Sequence, residues 1–239
     1  LADMILTAKK GLPLERPLHL FGAGHPSMFA LAVALGCDLF DSAAYALYAR
    51  ENRYMTENGT WRVNELDYFP CSCPRCSAET PGDLEKKSPK EREVFLAEHN
   101  LYVCLAEIKR IKQAIRDGRL WEHTEMRVHA HPALLSALKH LHKHADFLEK
   151  YSPTAKSSGF FYFNSVGLAR PEITHYRKRL TERYTPPQNA KVLLLVPQTR
   201  NKPFHKAPEF KKIRQLFRSM GKELSGQVHV CVYSAPFGL

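Results

Sequence analysis

The sequence predicts an α/β protein built on a parallel sheet or barrel. Three observations support this. Strand-like and helix-like stretches alternate over residues 17–48. Two further apolar runs, 192–196 and 228–233, flank a helix-like stretch near the C-terminal end. No internal period recurs that would argue for a repeat array instead.

The elements follow in order. Residues 17–21 (Pro-Leu-His-Leu-Phe) read as a short buried strand that runs into a tight turn at Gly22-Ala-Gly24. Residues 28–35 are apolar enough for a buried helix, and Gly36 is placed to end it. Residues 37–41 form a second strand, with Ser42 as N-cap of a helix reaching residue 48. The rhythm then breaks. Residues 53–63 alternate around Asn58-Gly59, a strong hairpin signal. Ser88-Pro-Lys-Glu91 is a capping box with proline at the first helical position. The helix it opens sets Leu101, Leu105, Ile108, Ile111 and Ile115 on one apolar face and stops at Gly118. A second amphipathic helix is expected over 132–149, with Leu134, Leu138, Leu141, Ala145 and Leu148 inward. Residues 160–163 are a candidate strand, and 171–184 a strongly basic helix. Thr185-Pro-Pro-Gln-Asn189 reads as a linker. Beyond it, strands at 192–196 and 228–233 around a helix over 208–220 make the start of a small α/β domain.

Composition excludes several classes. The 239 residues are 44% hydrophobic and 10% aromatic, so the chain is not disordered. No run approaches the ~20 apolar residues of a membrane helix. Lys plus Arg number 35 against 24 acids, a net charge of +11, which suggests a polyanionic partner. Six cysteines are too few and too clustered for a disulfide framework, and no secretory signal opens the chain; a reducing, cytoplasmic compartment is expected. The chain opens at Leu1 without methionine and stops at Leu239 straight after a strand, so it reads as an internal piece of a longer protein.

Cys71-x-Cys73-x-x-Cys76 places three soft thiolates within six residues. A tetrahedral zinc ion needs a fourth ligand; His99 is the first candidate and Cys104 the rival. Four protein ligands leave no open position, so such a zinc is structural rather than catalytic. Asp41 ends a parallel strand, where barrel enzymes place catalytic groups, although the same place suits a helix cap. Asp38 reads as structural. Gly22-Ala-Gly24 would allow close backbone approach to a ligand or serve as a plain turn; it lacks the third glycine of a dinucleotide fingerprint. His129, His131, His140, His142 and His144 invite a second metal site, but His140 and His144, one helical turn apart, flank the apolar stripe with no thiolate or carboxylate set around them, so a solvated helix face is expected. Arg170, Arg177, Lys178, Arg179 and Arg183, interleaved with Tyr176 and Tyr184, suit either phosphate contacts or a solvated basic face.

Residues 22–50, Gly-Ala-Gly-His-Pro-Ser-Met-Phe-Ala-Leu-Ala-Val-Ala-Leu-Gly-Cys-Asp-Leu-Phe-Asp-Ser-Ala-Ala-Tyr-Ala-Leu-Tyr-Ala-Arg, followed by Tyr-Phe-Pro-Cys-Ser-Cys-Pro-Arg-Cys at 68–76, resemble the archaeal tRNA-guanine transglycosylases. The resemblance covers about residues 1–185. It implies the C-terminal part of a (β/α)8 barrel over 1–185, with a zinc-bearing insertion at about 52–118, and the start of an accessory domain over 186–239. It implies exchange of guanine at position 15 of the tRNA D-loop for 7-cyano-7-deazaguanine, toward archaeosine. Asp41 falls on the family's nucleophile, Cys71, Cys73, Cys76 and His99 on its zinc ligands, and Phe21 and Gly22, a looser match, where the base pocket is lined. Arg177, Lys178 and Arg179 become candidate tRNA contacts. The carboxylate would attack C1′ of the ribose, expel guanine and be displaced in turn by the incoming base, the double displacement of retaining glycosidases. The family's general acid/base and most base-recognition residues are expected upstream of Leu1, so the chain alone is expected to be inactive. An RNA-binding domain common in the archaeal members is expected beyond Leu239. Members often dimerise through the insertion.

Two rivals remain. The archaeosine-synthase-like paralogue shares the architecture, and Pro197-Gln-Thr-Arg-Asn-Lys-Pro-Phe204 keeps the frame of its signature. Gln198 stands where that signature has cysteine, and Ala207 and Phe210 replace its Ser and His, which favours the transglycosylase. The other is a non-catalytic, zinc-braced scaffold that grips tRNA.

Overall fold

Two short parallel strands carry the N-terminal part of the chain. In the computed structural model, which describes residues 1–201 and 203–234, helix α1 (Ala2–Gly11) precedes strand β1 (His19–Phe21), helix α2 (Phe29–Ala34), strand β2 (Leu39–Asp41) and helix α3 (Ala44–Arg50). β1 pairs β2 in parallel, with His19 opposite Leu39 and Phe21 opposite Asp41, as the alternation predicts. Gly36 sits at φ +101° and ends α2. α1 was not anticipated; its Ile5 and Leu6 pack with Leu31, Leu35, Trp121, Leu138, Leu141 and Leu148 in the main core. Lys9 on α1 is also buried. Its ammonium reaches the carbonyl of Arg16 at 3.2 Å and Asp38 at 3.4 Å, while Asp38 accepts from the Leu18 amide at 2.8 Å. Asp38 is thereby a tie between α1 and the sheet, the structural role expected of it.

The hairpin forms as strands β3 (Arg53–Met55) and β4 (Thr60–Arg62), antiparallel, with Met55 opposite Thr60. The loop between them holds four residues rather than a two-residue Asn-Gly turn. Its hydrogen bonds run through the Thr56 side chain, which donates to the Gly59 carbonyl at 3.0 Å and accepts from the Gly59 amide at 3.1 Å. Two short helices follow, α4 (Pro74–Ala78) and α5 (Pro81–Glu85), then the 28-residue helix α6 (Pro89–Arg116). The Ser88–Glu91 capping box is present in both directions, and Gly118 follows at φ +66°.

The buried face of α6 differs from the expected one. Leu101, Leu105 and Ile115 are 40%, 51% and 52% exposed, whereas Phe95, Leu96, His99, Asn100, Val103, Glu107, Ile111 and Ala114 are buried. Polar residues occupy the inner face because each finds partners there. Asn100 accepts from the Met55 amide at 2.8 Å and donates to the carbonyls of Tyr45 and Arg53. Glu107 accepts from His123 at 2.8 Å and from both ends of the Arg127 guanidinium at 2.8 Å. A hydrophobic-periodicity argument has no means of seeing such pairs.

Helix α7 (Leu120–Val128), also unanticipated, packs on α2 and supplies Trp121 to the core. The single helix expected over 132–149 is instead α8 (Pro132–His140), a 3₁₀ segment (Leu141–His144) and α9 (Ala145–Tyr151). Leu138 in α8 and Leu141 at the start of the 3₁₀ segment both still point inward, 2% and 1% exposed. Residues 160–163 form no strand. The Phe161 amide donates to the Glu122 carboxylate and its carbonyl accepts from Arg170, both at 2.7 Å, so side chains satisfy the backbone that a ladder would have satisfied.

The chain divides into two compact units, Leu1–Pro171 and Glu172–Leu239, so the division falls before the basic helix rather than after it at 185. In the second unit, helix α10 (Pro171–Arg183) leads to strand β5 (Val192–Pro197), helices α11 (Phe210–Ser219) and α12 (Gly221–Ser225) and strand β6 (Val228–Tyr233). β5 and β6 pair in parallel, Val192 opposite Val228 through Pro197 opposite Tyr233. Tyr184, at the end of α10, hydrogen-bonds His229 on β6, which ties the helix to this sheet.

Candidate active strand ends and metal centre

The three residues expected at the reacting end of the sheet come together. Phe21 and Asp41 are register partners at the C-terminal ends of β1 and β2, and the Gly22 amide donates to the Asp41 carbonyl at 2.8 Å. Both side chains face solvent; Phe21 is 79% exposed. Gly22 and Gly24 have different reasons for being glycine. Gly22 lies at φ +76°, a region that favours glycine. A Cβ on Gly24 would stand 1.7 Å from the Ser42 hydroxyl and 2.5 Å from the Ala44 Cβ. The backbone after β1 therefore lies directly against the start of α3. Ser42 accepts from the Ala44 amide at 3.0 Å, as a cap would, though the helix begins only at Ala44.

The cysteines converge with one histidine. The donor atoms of Cys71, Cys73, Cys76 and His99 all lie within 4.8 Å of one another; among the described residues no other such group of His, Cys, Asp and Glu occurs. Cys73 and Cys76 reach the His99 Nδ1 at 3.6 and 3.3 Å. On the far side of the ring, Nε2 donates to the Met55 carbonyl at 2.9 Å, which leaves the Nδ1 lone pair toward the thiols. Tyr54 stacks on His99 at 3.7 Å with 18° between the planes, and its hydroxyl lies 3.4 Å from the Cys76 sulfur. Phe69 stacks on the other face of Tyr54 at 5.3 Å. Burial holds His99 neutral, its pKa lowered to about 4, and pushes the thiols of Cys71 and Cys76 up. Buried, soft donors that resist ionising alone and meet at one point fit a metal ion, whose charge would stabilise the thiolates.

Cys104 is not part of this group. It lies against the Gly24 carbonyl at 3.8 Å, next to the buried cluster of Phe29, Ala30 and Ile111. Among the described residues the histidines of 129–144 join no group that could hold a metal ion, but several of them are bonded rather than simply solvated. His129 pairs with the Glu125 carbonyl and Asn164, His131 caps α8, and His144 lies between Asp3 and Lys10. The basic cluster divides. Arg170 is 2% exposed, bound to the Phe161 carbonyl and 3.6 Å from Glu125, and is therefore internal. Arg177 and Arg179 are exposed and Lys178 half-buried; Arg177 and Arg179, two residues apart on a helix, project to nearly opposite sides. Gln198 follows β5 and its backbone N–H donates to the Tyr233 carbonyl at 2.9 Å, while Lys202 lies outside the described residues.

Sequence reasoning did not single out Tyr54 or Asn100. Asn100, directly after His99, was the legible one: a polar residue beside a ligand on a helix that packs against the hairpin.

Parallel strands with an aspartate at their C-terminal ends, followed by a hairpin and a Cys₃His group that could hold a metal ion, describe an α/β protein. Residues 1–133 match the queuine tRNA-ribosyltransferase family, and the chain belongs to it. Residues 173–239 match a domain of unknown function, DUF5591. The chain is similar to the tRNA-guanine(15) transglycosylase of Methanocaldococcus jannaschii, 57% identical over 182 residues, which are 75% of this chain and 28% of that protein. The enzyme of the same name from Haloferax volcanii is 53% identical over 180 residues, 75% of this chain and 35% of its own length. That of Methanosarcina mazei is 54% identical over 185 residues, 77% and 37% of the two chains. The chain thus spans about a third of the length of the curated relatives it matches.

Proposed function

We propose that this chain is part of a tRNA-guanine(15) transglycosylase and carries its nucleophile. The observation behind this is the pairing of Phe21 with Asp41 at the strand ends, with Gly22 bonded to the Asp41 backbone. A carboxylate here stands in solvent at the C-terminal ends of parallel strands, the end at which barrel enzymes bind substrate. The two strands are read as part of such a (β/α)8 barrel. Asp41 attacks C1′ of the ribose at position 15 as the bond to guanine breaks, and the departing base takes a proton from a general acid outside this chain. 7-Cyano-7-deazaguanine then gives its ring N–H proton to that same group, now acting as base, and displaces Asp41, restoring the glycosidic bond with retention, a step toward archaeosine. Phe21 and Gly22 line the place where the base sits.

Cys71, Cys73, Cys76 and His99 hold one zinc ion. Donors on a tetrahedron with bonds of about 2.3 Å stand about 3.8 Å apart; the four donor atoms here lie within 4.8 Å of one another, Cys73 and Cys76 at 3.6 and 3.3 Å from His99. Zinc supplies a fixed cross-link between the loop at 71–76 and α6. The set leaves no ligand position free, so the ion takes no part in bond breaking.

The substrate is tRNA, in keeping with the net charge of +11, and Arg177, Lys178 and Arg179 are its contacts on the second unit. The exposed side of α6, with Val94, Leu101, Tyr102 and Leu105 40–51% accessible, suits a homodimer. No helix among the described residues is long and apolar enough to cross a membrane, and we place the protein in the cytoplasm.

The test uses the longer protein. Exchange of labelled guanine into tRNA should vanish in Asp41→Ala while tRNA affinity stays within about twofold; retained exchange would remove Asp41 from the reaction.

A further inference from the structure

Two consecutive residues of α6 clasp one residue of the hairpin. His99 donates from Nε2 to the Met55 carbonyl at 2.9 Å, and Asn100 accepts from the Met55 amide at 2.8 Å. Asn100 is fully buried, and its Nδ2 donates elsewhere, to the Arg53 carbonyl at 3.2 Å and the Tyr45 carbonyl at 3.0 Å. One side chain thus joins α6, β3 and α3, with both donors and its acceptor engaged. Tyr45 lies in the first turn of α3, and only Ser42, Ala43 and Ala44 separate it from Asp41. One turn further along α6, Cys104 lies against the Gly24 carbonyl at 3.8 Å. Gly24 in turn has no room for a Cβ beside Ser42 and Ala44. Residues 100 and 104 share a face of the helix. That face therefore touches the backbone just beyond β1 and just beyond β2, the two strands whose ends carry Phe21 and Asp41.

Apolar burial would also hold α3 against α6, but it is non-directional and specifies register poorly. Three directional bonds to backbone groups fix α3, β3 and α6 in one arrangement. The Tyr45 carbonyl lies inside α3, where the helix supplies a carbonyl with a partner four residues on. The bond from Asn100 is additional to that helix and serves its placement.

We propose that Asn100 is a positioning residue for the transfer reaction, setting the place of Asp41 relative to the hairpin and the Cys₃His group. It acts through α3 and touches neither substrate nor reacting atoms. The proposal rests on the reading of Asp41 as the nucleophile. A misplacement of about 1 Å at the reacting atom costs about a hundredfold in rate, whereas binding spread over many tRNA contacts scarcely registers it.

The test uses the longer protein and Asn100→Asp. This near-isosteric change keeps an acceptor for the Met55 amide and turns an oxygen toward the carbonyls of Tyr45 and Arg53. At saturating tRNA, kcat for labelled-guanine exchange should fall about a hundredfold, with KM for tRNA within about twofold and metal content unchanged. Amides of 42–47 should lose protection from hydrogen exchange. Full kcat would overturn the proposal, as would a loss of kcat that vanishes well below the melting temperature of the variant. Should Asn100→Asp fail to fold, the unsubstituted protein decides. Stripping its metal with a chelator should loosen 42–47 together with 53–55 while α1 keeps its protection; loosening confined to 53–76 would overturn the link. Asp41→Ala is assayed alongside. Retained exchange there removes the nucleophile reading, whereas normal exchange in Asn100→Asp with none in Asp41→Ala overturns the positioning role alone.

Discussion

The cysteine group and the ends of β1 and β2 lie on either side of α3 in the sequence, yet they are made in opposite ways. At the cysteine group, three of four side chains are buried, and His99 is fixed on every side, by Tyr54 above its plane, Met55 behind it and two thiols in front. At the strand ends, the paired backbones hold Asp41 and Phe21, and both side chains are exposed, the Phe21 ring meeting His19 edge-on. A closed donor set suits a group that must hold shape. An open carboxylate on a rigid backbone suits one that must meet a large substrate and form a bond with it.

Substitutions can break this contrast. Cys73→Ser should lose most of the bound zinc and lower the melting temperature by about 10 °C, whereas Asp41→Ala should leave both unchanged. Equal metal content in Cys73→Ser, measured by elemental analysis, would refute the ligand set.

Glu107 separates metal from helix, because it sits on α6 below the cluster and touches no cysteine. Burial alone would raise its pKa, but the bonds from His123 and Arg127 outweigh that and hold it at about 2. A depressed carboxylate pKa adds stability that is complete above the unfolded value near 4.5 and is lost as pH falls toward 2. Glu107→Ala should cost about 3–5 kcal/mol near neutral pH, and the gap to the unsubstituted protein should narrow in acid melts between pH 4.5 and 2. A gap independent of pH would assign the loss to packing.

Gly24→Ala acts on the open site alone. Its methyl group collides with Ser42, so the loop must shift, at about 1–3 kcal/mol. Exchange should fall with zinc content intact. Smallest of all, Arg177→Glu with Arg179→Glu should leave stability within about 0.5 kcal/mol and weaken tRNA binding with a shallower salt dependence; an unchanged salt slope would make α10 a solvated face.

The contrast also explains what the sequence disclosed. Three cysteines in six residues and a parallel strand ending in Asp41 are local patterns, and both elements formed as expected. The fourth ligand was open on spacing alone, since His99 and Cys104 share a helix and only its packing against the hairpin turns His99 inward. The buried face of α6 was misread because Asn100 and Glu107 are inside on account of partners at distant positions, such as Tyr45 and Arg127. Arg170 looked like part of a basic surface, yet its counter-charge, Glu125, lies on another helix. Periodicity registers apolar order and misses polar pairs formed across the fold.

The central claim is that Asp41 forms a bond to the ribose of the substrate. The most direct measurement denatures the longer protein after mixing with tRNA, digests both polymers and locates the remaining nucleotide by peptide mass spectrometry. The account predicts a ribosyl adduct on the peptide that carries Asp41 and on Asp41 itself. An adduct on a different residue, or none while base exchange proceeds, would contradict it.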